Sequence, residues 1–165
     1  MNITALLFIV GAAIASIWAL LKGKEKQVNS RKIPDSVSRW ESEAQKYARE
    51  FNVPLKYVLA TIWQESAGKP GAVGSANEKG LMQLKQIAVK DAQQSYPDKN
   101  FDGWETIPEQ NIKAGVAFLA VQKRRAGDWF SALKAYNQGY QGMKVYPEKA
   151  QQYANGVENK AKFFA

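Results

Sequence analysis

The chain has 165 residues, and its 23 lysine and arginine side chains against 15 aspartate and glutamate side chains give a formal net charge of +8. It contains neither cysteine nor histidine, which excludes disulfide bonds, histidine or cysteine metal sites, a Ser-His-Asp triad and imidazole acid–base chemistry. Any proton transfer would depend on Glu, Asp, Lys or Tyr, and the positive charge favours polyanionic surroundings such as nucleic acid, lipid headgroups or an anionic cell-wall polymer.

The first predicted element is a membrane anchor. Residues 3–21 carry no charged side chain, and about 20 apolar residues span a bilayer core. A cleaved signal peptide is the alternative, because "AIA" at 13–15 resembles a cleavage site. However, no Lys or Arg precedes the apolar run, as a signal peptide requires. We therefore expect residues 1–21 to be an uncleaved anchor that makes the protein a single-pass membrane protein.

A basic linker, residues 22–33, follows the anchor. It is rich in Lys and Arg and contains a single acidic residue, Glu25. Such a segment is typical of a solvated stretch that lies near anionic headgroups. The positive-inside rule predicts that this flank, and the domain after it, face the cytoplasm.

The rest of the chain, residues 34–165, reads as an all-α domain. Apolar residues recur at three- and four-residue steps, which indicates amphipathic helices, and no segment alternates with the period of a strand. Prolines and glycines bound six predicted helices, at about 34–51, 54–67, 80–95, 108–127, 128–139 and 147–163. The loops at 67–79 and 96–107 are long for a helical domain, and long loops are often functional.

Glu65 is the first candidate catalytic residue. It lies at the C-terminal end of the second predicted helix, after an apolar run that includes Ile62 and Trp63. The negative end of a helix dipole raises the pKa of a carboxyl group, and burial raises it further. A glutamic acid that keeps its proton near neutral pH can act as a general acid. A lone glutamate is more often a solvated surface residue, so the prediction depends on its companions.

Three short motifs follow one another in the chain: "QES" at 64–66, "GLMQL" at 80–84 and "AYNQG" at 135–139. They resemble the three signatures of the soluble lytic transglycosylase catalytic domain, in the goose-lysozyme-like group of peptidoglycan-cleaving enzymes. Weaker matches occur in the expected order at 111–119, 127–129 and 151–157. The resemblance covers about residues 36–163 and implies a lysozyme-like helical domain.

The resemblance also implies the site. Glu65 matches the single catalytic acid of the family. The residues that match substrate-binding positions are Ser66, Ser75, Met82, Gln83, Tyr136, Asn137 and Tyr153. Ser66 would orient the acid, the Tyr136 hydroxyl would lie close to it, and Tyr153 would face the sugar cleft. For Met82 the alternative is a core methionine, and for Asn137 a structural role.

In the resembled family, the acid protonates the glycosidic oxygen between N-acetylmuramic acid and N-acetylglucosamine. The N-acetyl oxygen of the substrate attacks the anomeric carbon, and the ionised acid then deprotonates the sugar 6-hydroxyl. The product carries a 1,6-anhydromuramoyl end, and neither a metal nor an organic cofactor is needed.

The chain departs from the family pattern at three places. Gly74 stands where a serine is usual, and Ser75 next to it is the substitute we consider. Lys85 and Gln86 stand where Met-Pro is frequent, and Lys85 would either meet an anionic peptide stem or, as we favour, face solvent. Lys149 stands where an acidic residue is usual.

These observations predict a membrane-anchored lytic transglycosylase whose partners are peptidoglycan strands and, through residues 3–21, a lipid membrane. The alternatives are a lysozyme-type muramidase, a wall-opening enzyme of a secretion or conjugation apparatus, and a non-catalytic glycan-binding module.

The predicted cytoplasmic orientation of the domain conflicts with a substrate that lies outside the inner membrane. A bacteriophage virion that contains a membrane would resolve this conflict, because the protein is assembled inside a cell and delivered from outside. Nucleic acid is not predicted as a partner, since the basic cluster at 122–127 is short and lacks interleaved aromatic residues.

Overall fold

Helices dominate residues 33–164, the part of the chain that the computed structural model describes. The predicted anchor, 1–21, and nearly all of the predicted linker lie outside the described residues. Within 33–164, none of the helices combines the length and the apolar character that a bilayer crossing requires.

In chain order the helices are α1 (Asp35–Ser38), α2 (Glu41–Glu50), α3 (Leu55–Ser66), α4 (Gln86–Ser95), α5 (Pro108–Ala126), α6 (Trp129–Gln138), α7 (Gly142–Val145) and α8 (Pro147–Ala161). A 3-10 turn, Lys162–Phe164, extends α8. The all-α prediction is therefore confirmed for the described residues, where only isolated bridges join Val73 to Lys79 and Lys79 to Leu84.

Prolines and an aspartate start the helices where the sequence predicts. Pro108 and Pro147 are the first residues of α5 and α8, a position at which the missing N–H costs nothing. The Asp128 side chain caps α6 by accepting a hydrogen bond from the backbone N–H of Ser131 at 2.8 Å, which satisfies one of the free donors of the first turn. The starts of these three helices are therefore determined by the local sequence.

Two predicted helices differ from the observed ones. The segment 34–51 forms two helices rather than one, with a break at Arg39 and Trp40, where the Trp40 indole donates a hydrogen bond to the carbonyl of Gly68 at 3.1 Å. The helix predicted to start near residue 80 starts only at Gln86. Gly80 and Gln83 have φ angles of 78° and 45°, which a right-handed helix excludes.

The C-terminal end of α3 lies in the middle of the domain, next to the hydrophobic core. The inward side chains of α3 and α5, among them Leu59, Ile62, Ile112 and Leu119, are almost completely buried. Helix α5 packs against α2, α4 and α6, while α8 packs against α3 and α6. As a result, the last turn of α3 is held between α8 and the loop that leads to α4.

The chain leaves α3 by a fixed turn. Ala67 adopts a left-handed conformation, and the following Gly68 has a φ of 77°. A Cβ atom at Gly68 would lie 2.0 Å from the carbonyl oxygen of Ser36, so only glycine fits there. The Ser36 hydroxyl also donates a hydrogen bond to the carbonyl of Ala67 at 2.8 Å. Helix α1 therefore secures the turn directly after Glu65 and Ser66.

Candidate active site

A cavity of about 500 Å³ opens at the end of α3. Its walls come from Glu65, from the loop between α3 and α4 with the first turn of α4, from α5, and from the end of α6. Polar and apolar groups share this lining, as suits a ligand that presents both hydroxyl groups and ring faces. Of the predicted site residues, the structure brings Glu65, Ser75, Gln83, Tyr136 and Asn137 to this cavity.

Glu65 combines partial burial with one defined partner. Its Oε1 accepts a hydrogen bond from the Tyr153 hydroxyl at 2.5 Å. Burial raises the pKa of Glu65 from 4.5 to about 7, the bond from Tyr153 opposes this rise, and the charge of Glu78 adds to it. Close to neutral pH, the carboxyl group is therefore present both with and without its proton. Such a group can first give a proton to a bound substrate and later take one back.

The two tyrosines make different contacts at the site. Tyr153, from α8, bonds directly to Glu65. Tyr136, from α6, forms part of the cavity wall, but its hydroxyl donates to the backbone carbonyl of Met82 at 2.8 Å. Burial is the first cause that raises the pKa of both phenols well above the usual value. Both are therefore neutral donors at neutral pH.

Ser66 and Met82 do not line the cavity, and the prediction that they contact a substrate is corrected. The Ser66 hydroxyl lies within hydrogen-bond distance of the carbonyl oxygens of Leu81, at 2.8 Å, and Ile62, at 3.1 Å. It also accepts a bond from the backbone N–H of Gly68 at 3.2 Å. Met82 is completely buried. Both side chains support the loop from the interior instead.

Gln83, Ser75 and Asn137 lie in different parts of the cavity wall. The Gln83 side chain donates hydrogen bonds to the carbonyls of Ala72, at 3.0 Å, and Gly80, at 2.8 Å, so it also braces its own loop. Ser75 is exposed, at the rim. The side-chain oxygen of Asn137 accepts a bond from Gln138 at 2.5 Å. Contact of these residues with a sugar remains a prediction.

Asn111 holds the backbone of the loop between α3 and α4 in place, and it was not among the residues predicted from the sequence. It lies on α5 and is 1% exposed. Its side-chain oxygen accepts a hydrogen bond from the backbone N–H of Met82 at 2.8 Å, and its nitrogen donates to the carbonyls of Lys79 and Trp104 at 3.0 and 2.9 Å. A polar residue on the mostly apolar inward face of this helix was the available signal. Trp104 itself is 8% exposed and does not line the cavity that holds Glu65.

Glu78 is a cavity residue for which no role was expected, and Lys85 lies beside it on the cavity wall. The two side chains form an ion pair, with 3.0 Å between Lys85 Nζ and Glu78 Oε1. Lys85 was expected to face solvent, and its side chain is indeed exposed, although the ion pair was not expected. The hydrogen bond from Lys85 is the main cause that lowers the pKa of Glu78. The cavity thus contains two carboxyl groups whose surroundings move their pKa values in opposite directions, a frequent arrangement in active sites.

Comparison with known proteins agrees with this geometry. The family model described as "Transglycosylase SLT domain" matches residues 42–159. Membrane-bound lytic murein transglycosylase F from Photobacterium profundum is 34% identical in an alignment of 118 residues that covers 67% of this chain and 21% of that protein. The same protein from Vibrio parahaemolyticus is 32% identical in an alignment of 123 residues that covers 67% of this chain and 20% of that protein. The chain therefore spans about a fifth of the length of these relatives.

One solved structure has the same fold. It is the X-ray structure of an inactive mutant of lytic transglycosylase Slt from Pseudomonas aeruginosa. The match has a TM-score of 0.63 and 21% sequence identity, and it covers 73% of this chain and 23% of that one. At this identity the similarity concerns the lysozyme-like helical architecture.

Proposed function

Because this chain belongs to the transglycosylase SLT domain family, we propose that it is a lytic murein transglycosylase. Its substrate is peptidoglycan, and the bond cleaved is the β-1,4 bond between N-acetylmuramic acid and N-acetylglucosamine. The observation that supports this proposal best is Glu65: a partly buried carboxyl group on the wall of a cavity, with a pKa of about 7 and a tyrosine bonded to it.

The reaction begins with protonated Glu65. It gives its proton to the glycosidic oxygen while the substrate's N-acetyl oxygen attacks the anomeric carbon, so the glycosidic bond breaks and an oxazolinium ion forms. Glu65 is now a carboxylate, and the hydroxyl of Tyr153 stabilises its charge by donating to Oε1. The carboxylate then takes the proton of the sugar 6-hydroxyl, whose oxygen attacks the anomeric carbon and displaces the N-acetyl oxygen. A 1,6-anhydro ring results, and Glu65 has recovered its proton.

A lysozyme-type muramidase is the second candidate, because the cavity contains Glu78 as a second carboxylate. Two-carboxylate glycosidases use the second group as a nucleophile or as a base for water, at roughly 5–10 Å from the acid. In that case water, rather than the 6-hydroxyl, attacks the anomeric carbon. The product then has an ordinary reducing end.

Incubation of the full chain with purified sacculi, followed by mass spectrometry of the released muropeptides, distinguishes the transglycosylase from the muramidase. Anhydro ends support the transglycosylase, and reducing ends support the muramidase. Glu65→Gln should abolish release. The matched control is Glu158→Gln, since Glu158 also accepts a bond from a tyrosine hydroxyl, that of Tyr57 at 2.9 Å, but lies outside the cavity. Binding to sacculi without any release by the wild-type chain would contradict both candidates and favour a glycan-binding module.

For the cellular setting, we propose that residues 3–21 anchor the enzyme in a lipid membrane, with 22–33 as a linker to a catalytic domain that comprises 34–165. The uncharged run at 3–21 and the words "membrane-bound" in the names of the relatives support this. The membrane is that of a bacteriophage virion, and the enzyme opens the wall locally during entry. A secretion or conjugation apparatus is the alternative setting. Flotation of the full chain with liposomes, and protease access in intact virions or spheroplasts, test the anchor and its orientation.

A further inference from the structure

A fixed ion pair forms part of the cavity wall. Glu78 uses both carboxylate oxygens: Oε1 lies 3.0 Å from Lys85 Nζ, and Oε2 accepts a hydrogen bond from the backbone N–H of Ala76 at 3.0 Å. The Glu78 side chain is 24% exposed. Because each oxygen has its own partner, the carboxylate keeps one position in the cavity.

Gly74 makes room for this carboxylate. A Cβ atom at residue 74 would lie 2.4 Å from Glu78 Oε2 and 2.8 Å from the side-chain oxygen of Gln83. With a side chain at residue 74, the ends of these two side chains would have to move from their present positions. The absence of a side chain at residue 74 therefore leaves the space that the inward carboxylate of Glu78 occupies.

The tyrosines near Glu65 are neutral: Tyr153 from α8 and Tyr136 from α6 are buried phenols. The basic side chain of Lys160, also on α8, donates its hydrogen bond to Gln64 at 2.7 Å and does not line the cavity. Among the described residues that line the cavity, Glu78 and Lys85 are those that carry a charge at neutral pH besides Glu65. Any charge effect of the cavity wall on the acid therefore comes from this pair.

We propose that Glu78 and Lys85 are positioning residues that act on Glu65 through their charges and together set the pH range in which it can serve as the acid. The negative charge of Glu78 disfavours the ionised form of Glu65, and the positive charge of Lys85 moderates that effect. Consistent with this, the charge of Glu78 raises the pKa of Glu65, and the bond from Lys85 lowers the pKa of Glu78, so that Glu78 stays ionised. The inference rests on the proposed function of Glu65 as the acid.

The test compares Glu78→Gln, Lys85→Gln and the double variant in the full chain. In each, the carboxyl carbon of Glu65 is titrated by NMR with ¹³C-labelled glutamate, its signal being identified by its loss in Glu65→Gln. The pH dependence of muropeptide release is measured alongside. Glu78→Gln should lower the midpoint of the Glu65 titration, and the alkaline limit of activity with it, by about half a pH unit. Lys85→Gln should raise both by a smaller amount, because the half-exposed Lys85 is better screened by water, and the double variant should fall between the two.

Opposite shifts are the decisive result, because a merely structural role of the pair would not produce them. The matched control is the Lys46–Glu109 ion pair, which has a 2.8 Å contact outside the cavity. Its variants Lys46→Gln and Glu109→Gln should leave the Glu65 titration unchanged. An unchanged midpoint in both Glu78→Gln and Lys85→Gln, or a shift in the same direction, would overturn the proposal. If Glu78→Gln does not fold, the upward shift in Lys85→Gln decides alone, since Lys85 is half exposed.

Failure of this inference can be told apart from failure of the proposed function. The NMR titration needs no cleavage, so it tests the ion pair even if the chain releases nothing from sacculi. Absence of release by the wild-type chain, in turn, contradicts the proposed function whatever the titration shows.

Discussion

At Glu65, a single carboxyl group links the proposed catalysis to stability. Its pKa is about 7 in the folded protein against 4.5 for an ordinary glutamate, so the folded state holds the proton more tightly than the unfolded state. The resulting contribution to stability is fully present below about pH 4.5 and is lost as the pH rises through about 7. A difference of this size corresponds to about 3 kcal/mol in the free energy of unfolding.

Glu65→Gln should therefore become progressively more stable than the wild type as the pH rises. Between about pH 4 and about pH 8, the difference in the free energy of unfolding between variant and wild type should change by about 3 kcal/mol in favour of the variant. Urea unfolding followed by circular dichroism measures it. A difference that stays constant over this range would show that Glu65 titrates normally.

The hydroxyl of Tyr153 gives a second prediction at the residue scale. Tyr153→Phe removes the donor to Glu65 Oε1, and that bond opposes the rise in the pKa of Glu65. We expect the rate of muropeptide release to fall by about tenfold or more, since the ionised acid loses its donor, and the alkaline limit of activity to move to higher pH. Tyr57→Phe, which removes the bond to Glu158, is the control that should change neither quantity.

Sequence patterns predicted the position of Glu65 but not all of its surroundings. Its place at the end of α3 could be predicted because a helix end and an apolar run are local features, whereas its role as the acid was inferred from the resemblance to the family. Ser66 and Met82 share motifs with cavity residues, yet they point inward, because the direction of a side chain in an irregular loop depends on tertiary contacts. The Glu78 carboxylate occupies space that residue 74 leaves free because it lacks a side chain, and no local rule predicts that.

At the scale of elements, α5 holds the loop of the site through Asn111. Asn111→Ala would leave the backbone N–H of Met82 and the carbonyl of Trp104 without their partner. The carbonyl of Lys79 would lose one of its two donors and keep the backbone N–H of Leu84. The loss of buried hydrogen bonds should lower the free energy of unfolding by about 2–3 kcal/mol and reduce activity as the loop loosens. Thermal unfolding and muropeptide release measure the two effects.

Asn155→Ala serves as the matched control for Asn111→Ala. Asn155 is an exposed residue of α8, so its replacement should change the free energy of unfolding by less than about 0.5 kcal/mol. Equal effects of the two substitutions would contradict the anchoring role of Asn111.

Helix boundaries were predictable at this scale where a proline, a glycine or a capping aspartate marks them, as at Pro108 and Asp128. The conformation of the segment 80–84 was not predictable in this way. This segment is apolar enough to continue into a helix, but Gly80 and Gln83 are left-handed and Asn111 binds the backbone of Met82. Contacts with a helix that lies far away in the sequence therefore override the local preference.

At the scale of the whole molecule, the net charge of +8 should govern the encounter with the wall. Attraction between exposed charges is screened over about 10 Å at 0.1 M salt and about 3 Å at 1 M. The fraction of protein that sediments with sacculi should therefore fall several-fold between these salt concentrations. Glu65→Gln is the form to use, because the sacculi then remain intact. Retention that does not depend on salt would mean that uncharged contacts dominate binding.

The close fit of Gly74 against Glu78 has a consequence for how this site can vary between homologues. Because the carboxylate occupies the volume that a side chain at residue 74 would need, an exchange of the glycine alone should displace the carboxylate from its present contacts. The same exchange would need no such displacement after residue 78 has become small. In homologous chains, a serine at the first position should therefore occur together with a short side chain at the second, as a pair that covaries.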